Sequence, residues 1–396
     1  MISKLVHHPL INKYVTELKN DQPFVSLLYH HLRGRKGGSR RQTILDALKR
    51  SEDGFSLELS DAVQQPSTDQ AHLAVWDFGV KPYALGDILS WNLLTVIHAI
   101  RAGKSRVDIA IVLDPLRPNM PAQGYITSQN YMQFFLELEQ AFYFNPMLGN
   151  LHIYKDRLLF EEMMILKNLK KESMEPSLTG YTNDLHNCHQ GYSFYHHEFN
   201  EFYDEYGYVP KFKAPVGFEN VAKELFSKAH TESFVVAVHL RQRKNMNGTF
   251  RQSDLLRDSD QNNWLAFFKW ALNEYPFVMF ALVGRIDEYP REMMRMRNVV
   301  FLKSCGMGLS HELSLISEAD LFMGSNSGPA MMAIYSDTPY LIYQSQSLAE
   351  QAASNFGIPL GTESLPYAND HQKIKWTEDT IDTLIQDFES MYKLLV

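Results

Sequence analysis

The sequence predicts an α/β protein carrying two doubly wound parallel sheets. Short apolar runs that stop at glycine or a polar residue, such as HLAVWDFG and FVMFALVG, read as strands buried on both faces. Segments with helical spacing of apolar residues separate them, which is the rhythm of repeated βαβ units. The alternation breaks around Pro210 and Pro215 and then restarts, and 396 residues at roughly 100–200 per domain favour two domains.

In chain order, the first seventy residues show no sustained period and are expected to form an N-terminal extension (1–70) packed on the first domain. HLAVWDFG opens that domain as a strand. ILSWNLLTVIHAIRAG follows as a helix, with Ile88, Trp91, Leu94, Thr95 and His98 at helical spacing and Gly103 as its stop signal. VDIAIVLDP is a second strand, parallel to the first. NYMQFFLELEQAFYF and KDRLLFEEMMILKNLKK read as helices. LHNCHQGYSFYHHEFNEFYDEYGYVPKFKAPVGF, rich in His, Tyr and Phe, reads as a loop-rich stretch that runs into a linker near 207–218.

In the second half FENVAKELFSKAH, NNWLAFFKWALNEYP, LSHELSLISEA and SGPAMMAIYSD are predicted helices. SFVVAVHLR, FVMFALVG, NVVFLKS, DLFMGS and TPYLIYQ are predicted strands, and WTEDTIDTLIQDFESMYKLLV supplies an amphipathic last helix. The expected boundaries are 71–210 for the first domain, 216–375 for the second and 376–396 for the final helix.

Composition narrows the function. Thirty-eight basic residues against 46 acidic ones give a net charge of −8, so the molecule as a whole repels phosphate backbones and no nucleic-acid partner is expected. Two cysteines, Cys188 and Cys305, build no disulfide framework and fit a reducing compartment. The first residues lack an uninterrupted apolar core of the signal-peptide kind, and no run of eighteen apolar residues occurs. A cytoplasmic protein is the expectation.

In open parallel sheets, ligands sit beyond the carboxyl ends of strands, where helix N-termini present unpaired N–H groups. Two loops of the second half stand there. VVAVHLRQRKNMNGTFRQSD brings His239, Arg241, Arg243 and Lys244 to a strand end, and guanidinium groups suit bidentate phosphate binding. GSNSGP ends a strand at Gly324, makes a polar turn of Ser325, Asn326, Ser327 and Gly328, and starts a helix with Pro329. Ser327 or Asn326 there is also an ordinary helix cap.

LSHELSLISEADLFMGSNSGPAMMAIYSDTPYLIYQ resembles the donor-binding half of GT-B glycosyltransferases, most closely the lipopolysaccharide heptosyltransferase type. LGDILSWNLLTVIHAIRA is similar to that type's N-terminal "GD" loop and helix, and VHLRQR is more similar to the "HVRR" segment of fucosyltransferases. Together these stretches cover about a fifth of the chain. The sequence departs from the pattern at Asn326, where an Asp is usual, and at Met331, where a His is usual.

The resemblance implies two Rossmann-like domains facing a cleft and transfer of a sugar from a nucleotide-diphosphate donor to a glycan, glycolipid or protein acceptor. It implies an inverting, metal-independent reaction with no cofactor beyond the donor itself. Asp87 is then the candidate base and Arg241 a catalytic partner. Donor binding falls to His239, Arg241, Arg243, Gly284, Glu312, Ser325, Asn326, Ser327 and Gly328. Asp87 is equally a candidate N-cap, and Glu312 an exposed helix glutamate. A nucleotide-sugar epimerase or hydrolase, and a catalytically silent relative that binds a glycan or protein, are the alternatives.

Two further clusters stand out. His186, Cys188, His189, His196 and His197 match no standard zinc spacing, and no metal site is expected. Arg33, Arg35, Lys36, Arg40 and Arg41 lack phosphate-loop spacing but suit an anionic membrane surface, which implies peripheral contact with the inner face of a membrane.

Overall fold

A computed structural model describes residues 71–79, 81–113, 126–155, 159–160, 190–226, 233–243 and 256–396. The basic cluster Arg33–Arg41, most of the segment 155–171, and His186, Cys188 and His189 lie outside the described residues. Asp69–Val396 forms one unit, and both sheets belong to it.

The first sheet holds β1 (Ala71–Asp77), β2 (Arg106–Val112) and β3 (Leu148–Tyr154), paired in parallel in that order. Between β1 and β2 runs α1 (Leu85–Arg101). α1 is buried on most sides because it lies between the sheet and the second half of the chain. Its inward polar residues are bonded within the core: Asn92 Nδ2 donates to the carbonyls of Ala141 and Phe142 at 3.1 and 3.3 Å, and Asn145 Nδ2 donates to Asn92 Oδ1 at 2.9 Å. α2 (Tyr131–Leu138) tightens into a 3-10 turn at Glu139–Phe144, where one longer helix was predicted.

The second sheet has six parallel strands. They are β4 (Phe234–His239), β5 (Val278–Leu282), β6 (Val299–Phe301), β7 (Leu321–Ser325), β8 (Tyr340–Tyr343) and β9 (Gln372–Lys375), in spatial order β6-β5-β4-β7-β8-β9. Strand order therefore reverses between β4 and β7, the place where such sheets open a crevice at their carboxyl ends. α4 (Val221–Phe226) leads into β4; α5 (Gln261–Glu274), α6 (Leu309–Glu318), α7 (Gly328–Ile334) and α8 (Ala349–Phe356) lie in the crossovers, and α9 (Ile381–Leu395) is the last helix. Two parallel α/β sheets are the class that the sequence predicts.

One expectation needs correction. The stretch predicted as loop-rich contains α3 (Gln190–Tyr206), a seventeen-residue helix. Tyr195, His196, Phe199 and Phe202 lie at helical spacing and are all buried, so tertiary packing outweighs the modest helix propensity of His, Tyr and Phe. α3 packs on α1 and on α8. Asn200 Nδ2 donates to the carbonyls of Phe356 and Gly357 at 3.0 and 3.2 Å, closing the end of α8. His196 Nδ1 lies 3.0 Å from Tyr335 Oη, the residue after α7, with the two rings stacked. α3 thus ties the two halves of the unit together.

Burial pushes the His196 imidazole down to about 3 from 6.5, with the charge of neighbouring His197 adding to the effect. Between those two values the unfolded chain binds the proton that the folded protein refuses, so this stabilisation is complete above pH 6.5 and is lost as pH falls. Replacing His196 with Leu is expected to remove about one proton from the acid dependence of stability. Urea unfolding between pH 6.5 and 4 should then show a slope shallower by about 1.4 kcal/mol per pH unit; an unchanged slope would contradict a buried neutral imidazole.

Candidate functional site

The two loops singled out in the sequence meet at the start of α1 and the start of α7. A Cβ at position 86 would lie 3.3 Å from Gly328 Cα, and one at position 328 would lie 2.9 Å from Leu85 Cβ and 3.1 Å from the Gly86 nitrogen. Glycine at 328 is required for this approach as it stands, and a side chain at 86 would be tightly crowded. The approach sets the GD loop against the polar turn Ser325–Gly328, with the carboxyl ends of β4 and β7 beside it.

Asp87 does not cap α1. The N-cap is Ala84, with no side-chain cap bond, and Asp87 is the third helical residue, where the helix dipole favours a carboxylate. Enclosure by the surrounding protein nonetheless pushes its carboxyl up to about 6, against the opposing pull of Lys81, Arg257 and Arg243 and of its own backbone N–H. Lys81 is itself buried. Its ammonium lies 5.0 Å from the Trp76 ring centre and 5.4 Å from that of Trp91, and donates to Tyr195 Oη at 3.2 Å.

On the other side, His239 ends β4 with Nδ1 2.8 Å from Ser327 Oγ and Nε2 3.6 Å from Glu288 Oε2. Ser327 occupies the N-cap position of α7, yet its side chain makes no cap bond. Arg241 is buried and its Nη1 lies 3.4 Å from Asp258 Oδ1, while the Arg243 backbone N–H donates to both oxygens of Asp258 at 3.0 Å. Asp258 therefore braces the basic loop. Arg257 Nη2 donates to the Asn326 carbonyl at 2.6 Å, and Asn326 Nδ2 donates to Gln344 Oε1 at 3.0 Å. The backbone of the turn is thus held by a guanidinium and its side chain by a strand-end amide.

Glu312 is not an exposed helix glutamate. It is 2% exposed, its Oε1 accepts the Gly284 N–H at 3.0 Å, and burial pushes its carboxyl up to about 7 despite Lys303 at 4.0 Å. Gly284 has φ +116°, and a Cβ there would meet Glu288 Oε2 at 2.6 Å and His239 Cδ2 at 2.8 Å, so glycine is required for both conformation and space. Met331 is buried in the core.

The structure thus gathers Asp87, His239, Arg241, Arg243, Gly284, Glu312 and Ser325–Gly328 around the carboxyl ends of β4, β5 and β7. Sequence reading missed Lys81, Arg257, Asp258 and Glu288. Their signal was faint: Arg257 and Asp258 follow a polar loop, and Glu288 follows a strand-end glycine by four residues. Among the described residues, no group of three or more His, Cys, Asp or Glu is placed to hold a metal ion, and no helix is long and apolar enough to cross a membrane.

No family model matches the sequence, and no curated protein matches it. Solved structures similar to the chain include a glycosyl transferase of family 9 from Veillonella parvula, at 11% identity over 82% of this chain and 89% of that one, with a TM-score of 0.46. The ADP-heptose lps heptosyltransferase II of E. coli is similar at 10% identity over 82% and 98% of the two chains, with a TM-score of 0.47. The E. coli heptosyltransferase WaaC with ADP is similar at 11% identity over 81% and 99%, with a TM-score of 0.40. These belong to the glycosyltransferase type that the sequence resembles.

The glycine contact is directly testable. Gly328→Ala should force α7 from α1 and lower stability by roughly 1–3 kcal/mol, the usual cost of overpacking. Denaturant unfolding would measure it, and an Ala variant as stable as the parent would contradict the packed approach of the two helix starts.

Proposed function

We propose that the chain is a glycosyltransferase that moves a sugar from a nucleotide-diphosphate donor to a carbohydrate-bearing acceptor. The observation that carries this reading is the convergence of Asp87 with the Ser325–Gly328 turn: a carboxyl poised near neutrality faces a polar strand-end turn ringed by cations. Transfer to a hydroxyl needs a base for the acceptor proton and positive charge for the departing diphosphate. Asp87 meets the first need. Arg243 and Arg257, both of which act on Asp87 electrostatically, meet the second, together with the polar turn. Arg241 serves beside them, braced by Asp258.

In this reading the donor lies on the second half of the chain, with His239, Gly284, Glu312 and Asn326 along its length, and the acceptor approaches from the side of α1. The reaction is inverting and draws its positive charge from side chains rather than a metal ion. Displacement by an acceptor hydroxyl on the face opposite the leaving diphosphate requires one base and no covalent intermediate. Asn326 leaves the turn without the family's usual carboxylate, which favours a donor whose contact there accepts or donates a neutral hydrogen bond.

Asp87→Asn is expected to reduce transfer by about a hundredfold or more while nucleoside diphosphate affinity persists. Screening ADP, GDP, UDP and their sugars by calorimetry, then measuring diphosphate release with acceptor, checks both halves. Because the base must be ionised, kcat/KM should fall as pH drops through about 6, the value to which burial raises Asp87. A rate that is flat from pH 8 to pH 5, or an Asn variant with near-normal turnover, would remove Asp87 from the chemistry.

A further inference from the structure

Beyond the carboxyl ends of β7, β8 and β9, on the β8 side of the polar turn, a cleft encloses about 300 Å³, part of it open to solvent. Its buried wall includes Ser259, Ser325, Asn326 and Gln344, and Ser345, Glu378 and Asp379 line it nearer solvent. Ser259 Oγ, Ser325 Oγ and Asn326 Oδ1 are buried and have no hydrogen-bond partner among the described residues. These three residues are only 5%, 7% and 8% exposed. Ser259 and Asn326 are otherwise engaged. The Ser259 N–H donates to the Arg241 carbonyl at 3.0 Å, the Ser259 carbonyl accepts Gln242 Nε2 at 2.5 Å, and Asn326 Nδ2 donates to Gln344 Oε1 at 3.0 Å. An unpartnered buried polar atom is destabilising, and three among the residues of one cleft point to a ligand that supplies the missing partners.

The chemistry of the wall selects that ligand. Glu378 Oε1 accepts the Ser345 hydroxyl at 2.8 Å and the Gln346 N–H at 3.3 Å, and an ionised carboxylate has room to accept further hydrogen bonds. Asp379 Oδ2 accepts the Asp260 N–H at 3.2 Å and Trp264 Nε1 at 2.6 Å. Among the lining residues, Asp258, Glu378 and Asp379 face a single guanidinium, that of Arg257, which is bonded to the Asn326 carbonyl. Three carboxyl groups against one cation disfavour a phosphate or any other anion. Serine hydroxyls both donate and accept, whereas amide and carboxylate oxygens accept only. A ligand that matches them carries several hydroxyls and no charge, which is the chemistry of a neutral sugar ring.

We infer that this cleft is a carbohydrate subsite that takes one edge of an uncharged sugar, whose hydroxyls donate to Asn326 Oδ1 and Glu378 and exchange hydrogen bonds with Ser259 and Ser325. Two sources supply the same chemistry beside the Ser325–Asn326 turn: the sugar of a nucleotide donor, or a sugar of the acceptor. Only the first of these rests on the reading that the turn receives the donor diphosphate. Ser259, Glu378 and Asp379 then discriminate between sugars, because a site built to hydrogen-bond hydroxyls rejects a ligand that leaves its buried polar groups unpaired.

Two titrations of the full chain test the subsite and separate its sources: calorimetry with UDP-glucose, GDP-mannose and ADP-glucose against UDP, GDP and ADP, and saturation-transfer NMR with the methyl glycosides of glucose, galactose and mannose. A donor sugar in the cleft makes at least one nucleotide sugar bind about tenfold more tightly than its own diphosphate. An acceptor sugar makes at least one methyl glycoside bind with the diphosphate already in place. In either case Ser259→Ala should weaken sugar binding about three- to tenfold and Glu378→Gln by a similar factor, with the affinity for bare diphosphate unchanged. Ser259→Ala removes an unpartnered hydroxyl, so it should unfold at the parent's temperature or above, which separates lost binding from lost folding. UDP-glucuronate should gain nothing over UDP. Absence of sugar binding in both titrations, sugar affinity unchanged in both variants, or UDP-glucuronate gaining as much as UDP-glucose would overturn the subsite. Failure of all three diphosphates to bind would overturn the donor reading instead, and the methyl glycosides would still decide the subsite.

Discussion

The close approach of Gly86 and Gly328 is the constraint on which the rest of the site depends. Two helices from opposite halves of the unit begin within van der Waals contact; a side chain at Gly328 would force a shift there, and one at Gly86 would be tightly crowded. Because α1 and α7 each follow a strand of a different sheet, their meeting draws the carboxyl ends of both sheets to one place. Asp87, one residue beyond Gly86, inherits its surroundings from that contact. The turn that ends at Gly328 is fixed by it as well.

Around this point the structure concentrates positive charge and burial in opposition. Enclosure raises Asp87, while Lys81, Arg257 and Arg243 restrain the rise, leaving the group close to half-ionised near pH 6. A fully exposed carboxylate is a weak base at neutral pH, and a fully buried one without cations stays protonated. The balance between the two suits proton transfer. Glu312 shows the same physics at the end of β5, where burial raises it and Lys303 opposes. Arg241 differs, because its charge is engaged by Asp258 and its contribution includes holding the loop that carries Arg243.

Much of the architecture is legible in the sequence because parallel strands buried on both faces read as apolar runs, and β1, β2, β4 to β8 announce themselves that way. β3 and β9 do not: LGNLHIY and QKIK mix polar residues because neither strand is continuously buried along its length. α3 is hidden by composition, since its buried face is made of Tyr195, His196, Phe199 and Phe202 rather than aliphatic residues. Within the site, Asp87 and the Ser325–Gly328 turn are visible because strand-end loops with glycine are where ligands sit. Lys81, Asp258 and Glu288 are not visible, because their roles arise from partners that only folding supplies: aromatic faces, a guanidinium and an imidazole.

The central claim is that Asp87 and the diphosphate-receiving turn share one site. Carbon-13 titration of the Asp87 carboxyl, assigned with Asp87→Asn and recorded with and without a bound nucleoside diphosphate, addresses it most directly. The account predicts a midpoint near pH 6 in the free protein. It predicts an upward displacement of roughly one pH unit when the anionic ligand binds beside the carboxylate. A midpoint near that of an exposed aspartate, or one that stays put when the nucleotide binds, would contradict it.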